Sequence, residues 1–224
     1  MENTQVVCER ILNVKRNHSL TLMPMIEEMM TSVHWSPNEL TKIVCAKGPG
    51  SYTGIRLAVT TAKTLAYTLG IELVGVSSLE VLAGNVLGFN GLIVPIFDAR
   101  RKNVYAGIYR SEDNQLLSVV AESHTPLSSL LENLKVHNEP ILFIGDVANF
   151  SSEISNALPN AVVNENANWN IPHGAVLAQL GANKPSVNPH MFLPEYLKRV
   201  EAEEIWLKKM GNTITGQEAY VEKV

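Results

Sequence analysis

Cysteine is scarce in this 224-residue chain, which contains only Cys8 and Cys45. Two cysteines are too few for a disulfide framework, and neither stands in a C-x-x-C pair, so zinc or dithiol redox chemistry is not indicated. A reducing, cytoplasmic compartment is therefore the expectation. The N-terminus lacks the pattern of a signal peptide, and no apolar run reaches the roughly 20 residues that span a membrane.

An excess of positive charge is also missing. The formal net charge is −4, and no run of lysine and arginine occurs. A protein that grips nucleic acid mainly by itself usually has a basic face or stripe, although a fold can gather charges that are scattered along the chain. With 46% apolar and 18% charged residues the chain is typical of a globular protein rather than a disordered one.

Side chains arranged for catalysis are hard to find. The histidines include no H-x-x-x-H pair for a metal, and no G-x-S-x-G nucleophile motif occurs. Asp98 with Arg100 and Arg101 forms an acid beside two cations, but a solvated hairpin tip with a capping aspartate explains this trio more simply. Asp146 has the position of an acid at a strand end, where α/β sheets place ligands. We expect no catalytic set, no bound metal and no cofactor.

The first half of the chain alternates between strand and helix patterns, which is typical of α/β layers. Gly70 is expected to end the second helix as a left-handed cap, and Ser77 with Glu80 forms a capping box for the third. Pro24 is expected near the first turn of the first helix. The predicted elements are strand Val6–Val14, a helix from about Ser19 to Val33, strand Ile43–Ala46, a helix to about Leu69, and strand Leu73–Val76.

A second phase begins near Gly91 with a predicted hairpin. The predicted elements are strands Leu92–Phe97 and Val104–Tyr109 around a polar turn, helix Ser128–Leu134, strand Ile141–Ile144, helix Phe150–Leu158, a polar loop Asn164–Asn170, helix Gly174–Gly181 and a charged helix Glu195–Lys209. We place a boundary in residues 91–98. The predicted division is an N-terminal α/β lobe over residues 1–94 and a C-terminal lobe with a terminal helix over residues 95–224.

The segment KGPGSYTGIR joins a predicted buried strand to a helix. Glycines let backbone N–H groups turn inward, and the helix N-terminus adds the positive end of a dipole, so such a turn can hold an anion. The spacing matches neither a P-loop nor G-x-G-x-x-G. The alternative is a tight turn in which glycine merely fits. The residues concerned are Gly48, Gly50, Ser51, Thr53 and Gly54.

Two helices carry unusually little charge. Between Leu20 and Val33 the only charges are Glu27 and Glu28, and between Ile55 and Leu69 they are Arg56 and Lys63. A helix on a sheet normally has a charged outer stripe. Either a crowded core buries both helices, or their outer sides contact another protein, which we favour. The predicted partner surface consists of Met23, Ile26, Met30, Leu57, Thr61 and Thr64.

Five motifs occur at separate positions along the chain. G-P-G-S-Y-T-G-I-R stands at Gly48–Arg56, V-G-V-S-S-L-E at Val74–Glu80 and R-N-H-S at Arg16–Ser19. D-A-R-R stands at Asp98–Arg101 and P-E-Y-L-K-R-V-E-A-E at Pro194–Glu203. These motifs resemble those of the TsaB family, also called YeaZ, whose last motif is P-x-Y-L-R-x-x-E-A-E, with arginine usual where Lys198 stands here.

The resemblance implies an α/β, two-lobed actin/hsp70/sugar-kinase-like (ribonuclease-H-like) fold. It also implies a non-catalytic subunit needed to form tRNA N6-threonylcarbamoyladenosine, a scaffold and activator of a TsaD-like catalytic subunit together with a TsaE-like ATPase. The two low-charge helices would contact TsaD, tRNA would be reached indirectly, and a homodimer is possible when the chain is alone. Two alternatives stay open: a glycoprotease-like peptidase or phosphotransferase of the same fold, and a self-associating module without a tRNA connection.

One motif of the family is missing. Its members open with a strand of the type I-L-x-[IL]-D-T-S, whereas this sequence starts at Met1-Glu2-Asn3-Thr4. The expectation is that the first strand of the fold is absent. A sheet with such a gap has an unpaired edge, so we expect lower stability and more self-association than in a chain with that strand.

Overall fold

The fold is an α/β arrangement in a computed structural model that describes residues 1–13 and 18–198. None of the helices in these ranges is long and apolar enough to cross a membrane. The helices are α1 His18–Ser32, α2 Tyr52–Leu69, α3 Ser78–Gly84, α4 Leu127–Leu134, α5 Ser151–Ala157 and α6 Gly174–Gly181. The strands are β1 Lys42–Ala46, β2 Glu72–Val76, β3 Leu92–Asp98, β4 Asn103–Glu112, β5 Gln115–Pro126, β6 Ile141–Gly145 and β7 Val162–Val163.

Strands β1 and β2 form a two-stranded parallel sheet, in register from Lys42 opposite Glu72 to Ala46 opposite Val76. Helix α2 connects them and packs one side on the sheet. It ends as predicted at Gly70, whose φ of 66° and ψ of 32° are left-handed, a conformation that glycine adopts without strain. The second face of the sheet is covered by α6, whose Val176, Leu177 and Leu180 pack near Val74 and Val76.

The second sheet has five strands in the order β5-β4-β3-β6-β7. The predicted hairpin is confirmed, since β3 and β4 pair antiparallel, and β3 pairs parallel with β6. Both faces of β3 are covered, which explains its continuous apolar sequence. Leu92, Val94 and Ile96 belong to a cluster with α4 and α5, and Ile93 belongs to a cluster with α3 on the other face. The predicted α/β class is therefore confirmed.

Strand β5 was not predicted from the sequence. It pairs antiparallel with β4 as the edge strand of the sheet, and most of its side chains are exposed. Because an exposed edge strand buries neither face completely, its sequence need not alternate between apolar and polar residues.

Residues 187–198, here called the strap, cross back over β1, β2 and α2. Val187 donates its N–H to the carbonyl of Leu73 at 2.8 Å, and Glu195 donates to the carbonyl of Lys47 at 2.8 Å. Between these points the Phe192 ring is buried in a cluster with Cys45, Ile55 and Leu73. The strap therefore adds the last part of the core around the small sheet.

Three predictions at the chain ends and caps are corrected. Residues 6–13 of the predicted strand Val6–Val14 form no strand, because no described strand pairs with them, and Val14 lies outside the described residues. Residues 195–198 of the predicted helix Glu195–Lys209 are not helical, since the Glu195 N–H bonds to Lys47; the rest of that helix lies outside the described residues. Ser77 caps α3 as expected, but the Glu80 carboxylate bonds to Lys184 at 2.7 Å.

Pro24 also differs from its prediction, because it lies in the second turn of α1 rather than the first. A proline there removes the N–H that would bond the carbonyl of Leu20. Leu20 is 72% exposed, so this end of α1 is not covered by the described part of the chain.

The division at residues 94 and 95 stays a prediction. Both residues lie inside β3, and α6 and the strap, from the later part of the chain, pack on β1, β2 and α2. Any division into lobes therefore has to place α6 and the strap in the same lobe as β1, β2 and α2.

Phe192→Ala is expected to lower the free energy of unfolding by about 3–5 kcal/mol, because it leaves a cavity under the strap. Urea unfolding followed by circular dichroism measures the change. Met191→Ala is the matched control, since Met191 is exposed and its loss is expected to change stability by less than about 0.5 kcal/mol. A loss below about 1 kcal/mol for Phe192→Ala would mean that the strap contributes little.

Candidate functional site: two low-charge helices and the adjoining turn

Helix α1 is not buried by the described part of the chain. From Ser19 to Ser32 no side chain is buried, and Leu20 and Met23 are exposed. Met23, Ile26 and Met30 follow i, i+3, i+7 spacing and so lie along one side of the helix; Ile26 and Met30 are half-buried. Of its two carboxylates, Glu28 forms an ion pair with Arg10. An apolar helix side is therefore left partly open to solvent.

Helix α2 has one side in the core and an opposite side without charge. Its buried residues are Ile55, Val59, Ala62 and Ala66. At 3.6 residues per turn, the predicted residues Leu57, Thr61 and Thr64 lie opposite; Leu57 and Thr61 are half-buried and Thr64 is exposed. The remaining residues of this outer side are Thr53, Thr60 and Thr68.

The two cations of α2, Arg56 and Lys63, make contacts away from the outer side of the helix. The Lys63 ammonium donates to the carbonyl of His190 in the strap at 3.2 Å. The Arg56 guanidinium donates to the Tyr52 hydroxyl at 2.7 Å and lies 5.2 Å from the centre of that ring. Since both cations point away from the outer side, only leucine and threonine remain there.

In the turn Gly48–Gly54, the first glycine allows the strap to pass close to the backbone. Gly48 has φ +124°, and a Cβ there would collide with the Glu195 carbonyl where the strap crosses. The carbonyl of Gly48 also accepts the N–H of Ser78 at 2.8 Å. Ser51 is the N-cap of α2 but makes no side-chain capping bond. Anion binding at Gly50, Ser51, Thr53 and Gly54 stays a prediction.

Candidate catalytic groups found in the sequence have structural contacts. One Asp98 carboxylate oxygen accepts the Arg100 N–H at 2.7 Å, and one Asp146 oxygen accepts the Asp98 N–H at 2.9 Å, so both acids hold the β3–β4 turn. Burial raises the pKa of the Cys45 thiol to about 12, which keeps it protonated near neutral pH. Within residues 1–13 and 18–198, no three metal-ligating side chains come together.

A polar junction connects α3 to the β4–β5 hairpin. Ser77, at the start of α3, accepts the N–H groups of Leu79 and Glu80 and hydrogen bonds Glu122 of β5, which also accepts the Tyr109 hydroxyl. Burial raises the pKa of Glu122. The bonds from Ser77 and Tyr109 lower it, and the negative charges of Glu195 and Glu80 raise it further. The carboxyl therefore binds its proton more tightly in the folded chain.

One feature near the turn was not found in the sequence. The rings of Tyr52 and Tyr196 stack at 5.2 Å with 27° between their planes. They line an open cleft of about 460 Å³ together with Arg100, Tyr105 and Lys198. Because the two tyrosines come from distant parts of the chain, no local pattern could indicate their contact.

These features define an α/β protein whose helix α2 has an outer side without charge. Residues 5–206 match the family model described as TsaD, tRNA N6-adenosine threonylcarbamoyltransferase. The tRNA threonylcarbamoyladenosine biosynthesis protein TsaB of Bacillus subtilis (strain 168) is 42% identical over 204 residues, which are 91% of this chain and 89% of that protein. The TsaB protein of Escherichia coli (strain K12) is 30% identical over 101 residues, 44% of each chain. The chain belongs to the TsaB (YeaZ) family.

Solved structures agree on the fold. A Pseudomonas aeruginosa protein described as similar to peptidase YeaZ superposes with a TM-score of 0.72 at 23% identity, covering 83% of this chain and 86% of that one. YeaZ from the same organism superposes with a TM-score of 0.70 at 23% identity, and the match covers 82% of this chain and 86% of that one.

Glu122→Gln is expected to change how stability depends on pH. Since the native pKa of Glu122 lies above the ordinary value of 4.5, its stabilising contribution is complete below about pH 4.5 and is lost as pH rises through the native pKa. Glutamine does not ionise, so the stability of Glu122→Gln relative to the wild type should increase as pH rises from 4 to 8. Urea unfolding at each pH tests this, and a difference that is constant with pH would contradict it.

Proposed function

We propose that this chain is a non-catalytic subunit of the machinery that forms tRNA N6-threonylcarbamoyladenosine, where it acts as a scaffold and activator of a TsaD-like catalytic subunit. Two TsaB relatives described as threonylcarbamoyladenosine biosynthesis proteins support the pathway. The observation that carries the scaffold role is that the outer side of α2 has no charge and that no side chain of α1 from Ser19 to Ser32 is buried.

The partner surface in this proposal consists of Met23, Ile26 and Met30 of α1 and Leu57, Thr61 and Thr64 of α2. The central part of a protein interface is depleted in charge and enriched in apolar side chains. Threonine is small, which lets a second helix approach closely, and it loses little side-chain entropy when it is buried. Both properties suit a helix-to-helix contact with a partner subunit.

The other members of the assembly follow from the same proposal. A TsaE-like ATPase joins the complex, and the chain reaches tRNA through the complex. When the chain is alone, a second copy covers the same surface, because exposed methionine and leucine side chains favour association.

The enzyme alternative has one observation in its favour, the description of a solved relative as similar to a peptidase. At 23% identity that likeness supports the fold and not a reaction. The carboxylates of Asp98 and Asp146 accept backbone N–H groups, and the Cys45 thiol is buried. These contacts leave the candidate groups poorly placed to act on a substrate.

The double substitution Leu57→Glu with Thr61→Glu is expected to weaken binding to the TsaD-like subunit at least about 100-fold. Burying a carboxylate without a partner costs several kcal/mol, and 100-fold in Kd corresponds to about 2.7 kcal/mol. Isothermal titration calorimetry measures the affinity. Thermal unfolding and circular dichroism verify that the variant is folded.

Val136→Glu is the control for an added carboxylate, because it places one negative charge at a residue that is 77% exposed beyond α4; its affinity should equal that of the wild type. If the folded double variant binds as well as the wild type, this helix side is not the interface. Peptide hydrolysis or ATP turnover by the purified chain alone, surviving repurification, would favour the enzyme alternative.

A further inference from the structure

Helix α1 has no buried side chain from Ser19 to Ser32, so contacts at its surface attach it to the rest of the chain. The segment that precedes it provides such contacts. The Cys8 Sγ lies 3.7 Å from the Ser32 Oγ, and Arg10 forms an ion pair with Glu28. Since Glu28 and Ser32 are four residues apart, they lie on one side of the helix, and the segment runs along that side.

Residues 8–12, here called the bridging segment, also lie beside the first half of α1. Ile11 and Leu12 line a cleft of about 300 Å³ together with Leu20, Pro24 and Met25. At 3.6 residues per turn, this side of α1 lies opposite the side that carries its predicted partner residues. The bridging segment therefore does not cover the predicted partner side of α1.

Glu9 stands between Cys8 and Arg10 but contacts a different helix, α6. Its Oε1 accepts the Ala175 N–H at 2.9 Å, and its Oε2 lies 3.4 Å from the His173 Nδ1. The N-cap residue His173 makes no side-chain capping bond of its own, so Glu9 supplies the carboxylate that a helix N-terminus favours. Successive residues of the bridging segment thus bind two different helices.

The α6 end of this connection is attached to the core. The His173 Nε2 lies 3.0 Å from the Asn168 carbonyl, and the Asn85 amide at the end of α3 donates to the Ile171 carbonyl at 2.7 Å. Helix α6 itself packs on the small sheet of β1 and β2. Glu9 therefore connects a helix without buried side chains to a helix that belongs to the core.

We propose that Glu9 is a positioning residue, which holds α1 against the start of α6 and thereby sets the affinity of the partner surface. The Glu9 carboxylate fixes the bridging segment, and Cys8 and Arg10 fix α1 on that segment. A helix that is already held in place loses less conformational freedom when a partner binds, so binding is tighter. The effect on affinity rests on the proposed function, whereas the effect on α1 in the free chain does not.

Hydrogen–deuterium exchange of the full chain without a partner tests the connection. Glu9→Ala is expected to raise the amide exchange rate in peptides of α1 about tenfold, which is the size expected when one hydrogen bond to a charged group is lost. Glu9→Gln keeps an oxygen that can accept the Ala175 N–H, so it should restore most of the protection. Peptides of α4 serve as the internal reference.

Glu2→Ala is the matched control, because it removes an exposed carboxylate from the same N-terminal part of the chain. The exchange rate of α1 in this variant should equal that of the wild type. Circular dichroism verifies that every variant is folded.

A double-mutant cycle distinguishes one continuous connection from two separate contacts. If Glu9 and Arg10 act in series, the loss of Glu9 already releases the bridging segment from α6. Adding Arg10→Ala to Glu9→Ala should then have little further effect on the exchange rate of α1. Two independent contacts would instead give effects whose free energies add.

Isothermal titration calorimetry of the same variants measures the affinity for the TsaD-like subunit. Glu9→Ala is expected to bind about tenfold more weakly than the wild type, because α1 is then ordered only on binding, and Glu9→Gln should bind nearly as well as the wild type. Faster exchange of α1 in Glu9→Ala with an unchanged affinity would contradict the effect on the partner surface.

The inference is overturned if Glu9→Ala leaves the exchange rate of α1 unchanged, if Glu2→Ala raises it as much as Glu9→Ala does, or if the cycle is additive. A wild-type chain that does not bind the TsaD-like subunit would contradict the proposed function instead. In that case the exchange of the free chain still decides whether Glu9 holds α1.

Discussion

A sheet of only two strands cannot bury its own faces, and the rest of the structure depends on how β1 and β2 are covered. Helix α2 covers one face through Ile55, Val59, Ala62 and Ala66, and α6 covers the other. The strap completes the cluster with Phe192. These coverings fix the orientation of α2, because its only strongly apolar side is used inside the core. The side that remains outside is made of threonine and one leucine.

Two surfaces follow from this orientation, and they differ in chemistry. The outer side of α2 has no charge and α1 carries only Glu27 and Glu28, which suits a protein partner. The first turn of α2 meets the strap and the β3–β4 turn, where Tyr52, Tyr196 and Arg100 form a cationic aromatic cleft. The same strap thus holds α2 on its sheet and supplies half of the tyrosine pair.

Much of the α/β order could be predicted, because helix spacing and the glycine cap at Gly70 are local signals. Residues 6–13 could not, since a β-branched pattern predicts an extended chain but does not supply a strand to pair with. Residues 195–198 have a helical pattern, yet the bond from Glu195 to Lys47 overrides it. The low charge of α1 and α2 was evident in the sequence, whereas the cleft was not, because it joins Tyr52 to Tyr196. The features that the sequence did not predict therefore depend on contacts between residues that are distant in the chain.

Hydrogen–deuterium exchange of the chain with and without the TsaD-like subunit tests the central claim most directly. The account predicts slower amide exchange on binding in peptides of α1 (His18–Ser32) and α2 (Tyr52–Leu69), with the largest change in α1, which has no buried side chain from Ser19 to Ser32. The amide exchange rate in peptides of α4 (Leu127–Leu134) should be the same with and without the partner. Protection confined to α4 or β5, with α1 exchanging as fast as in the free chain, would contradict the account.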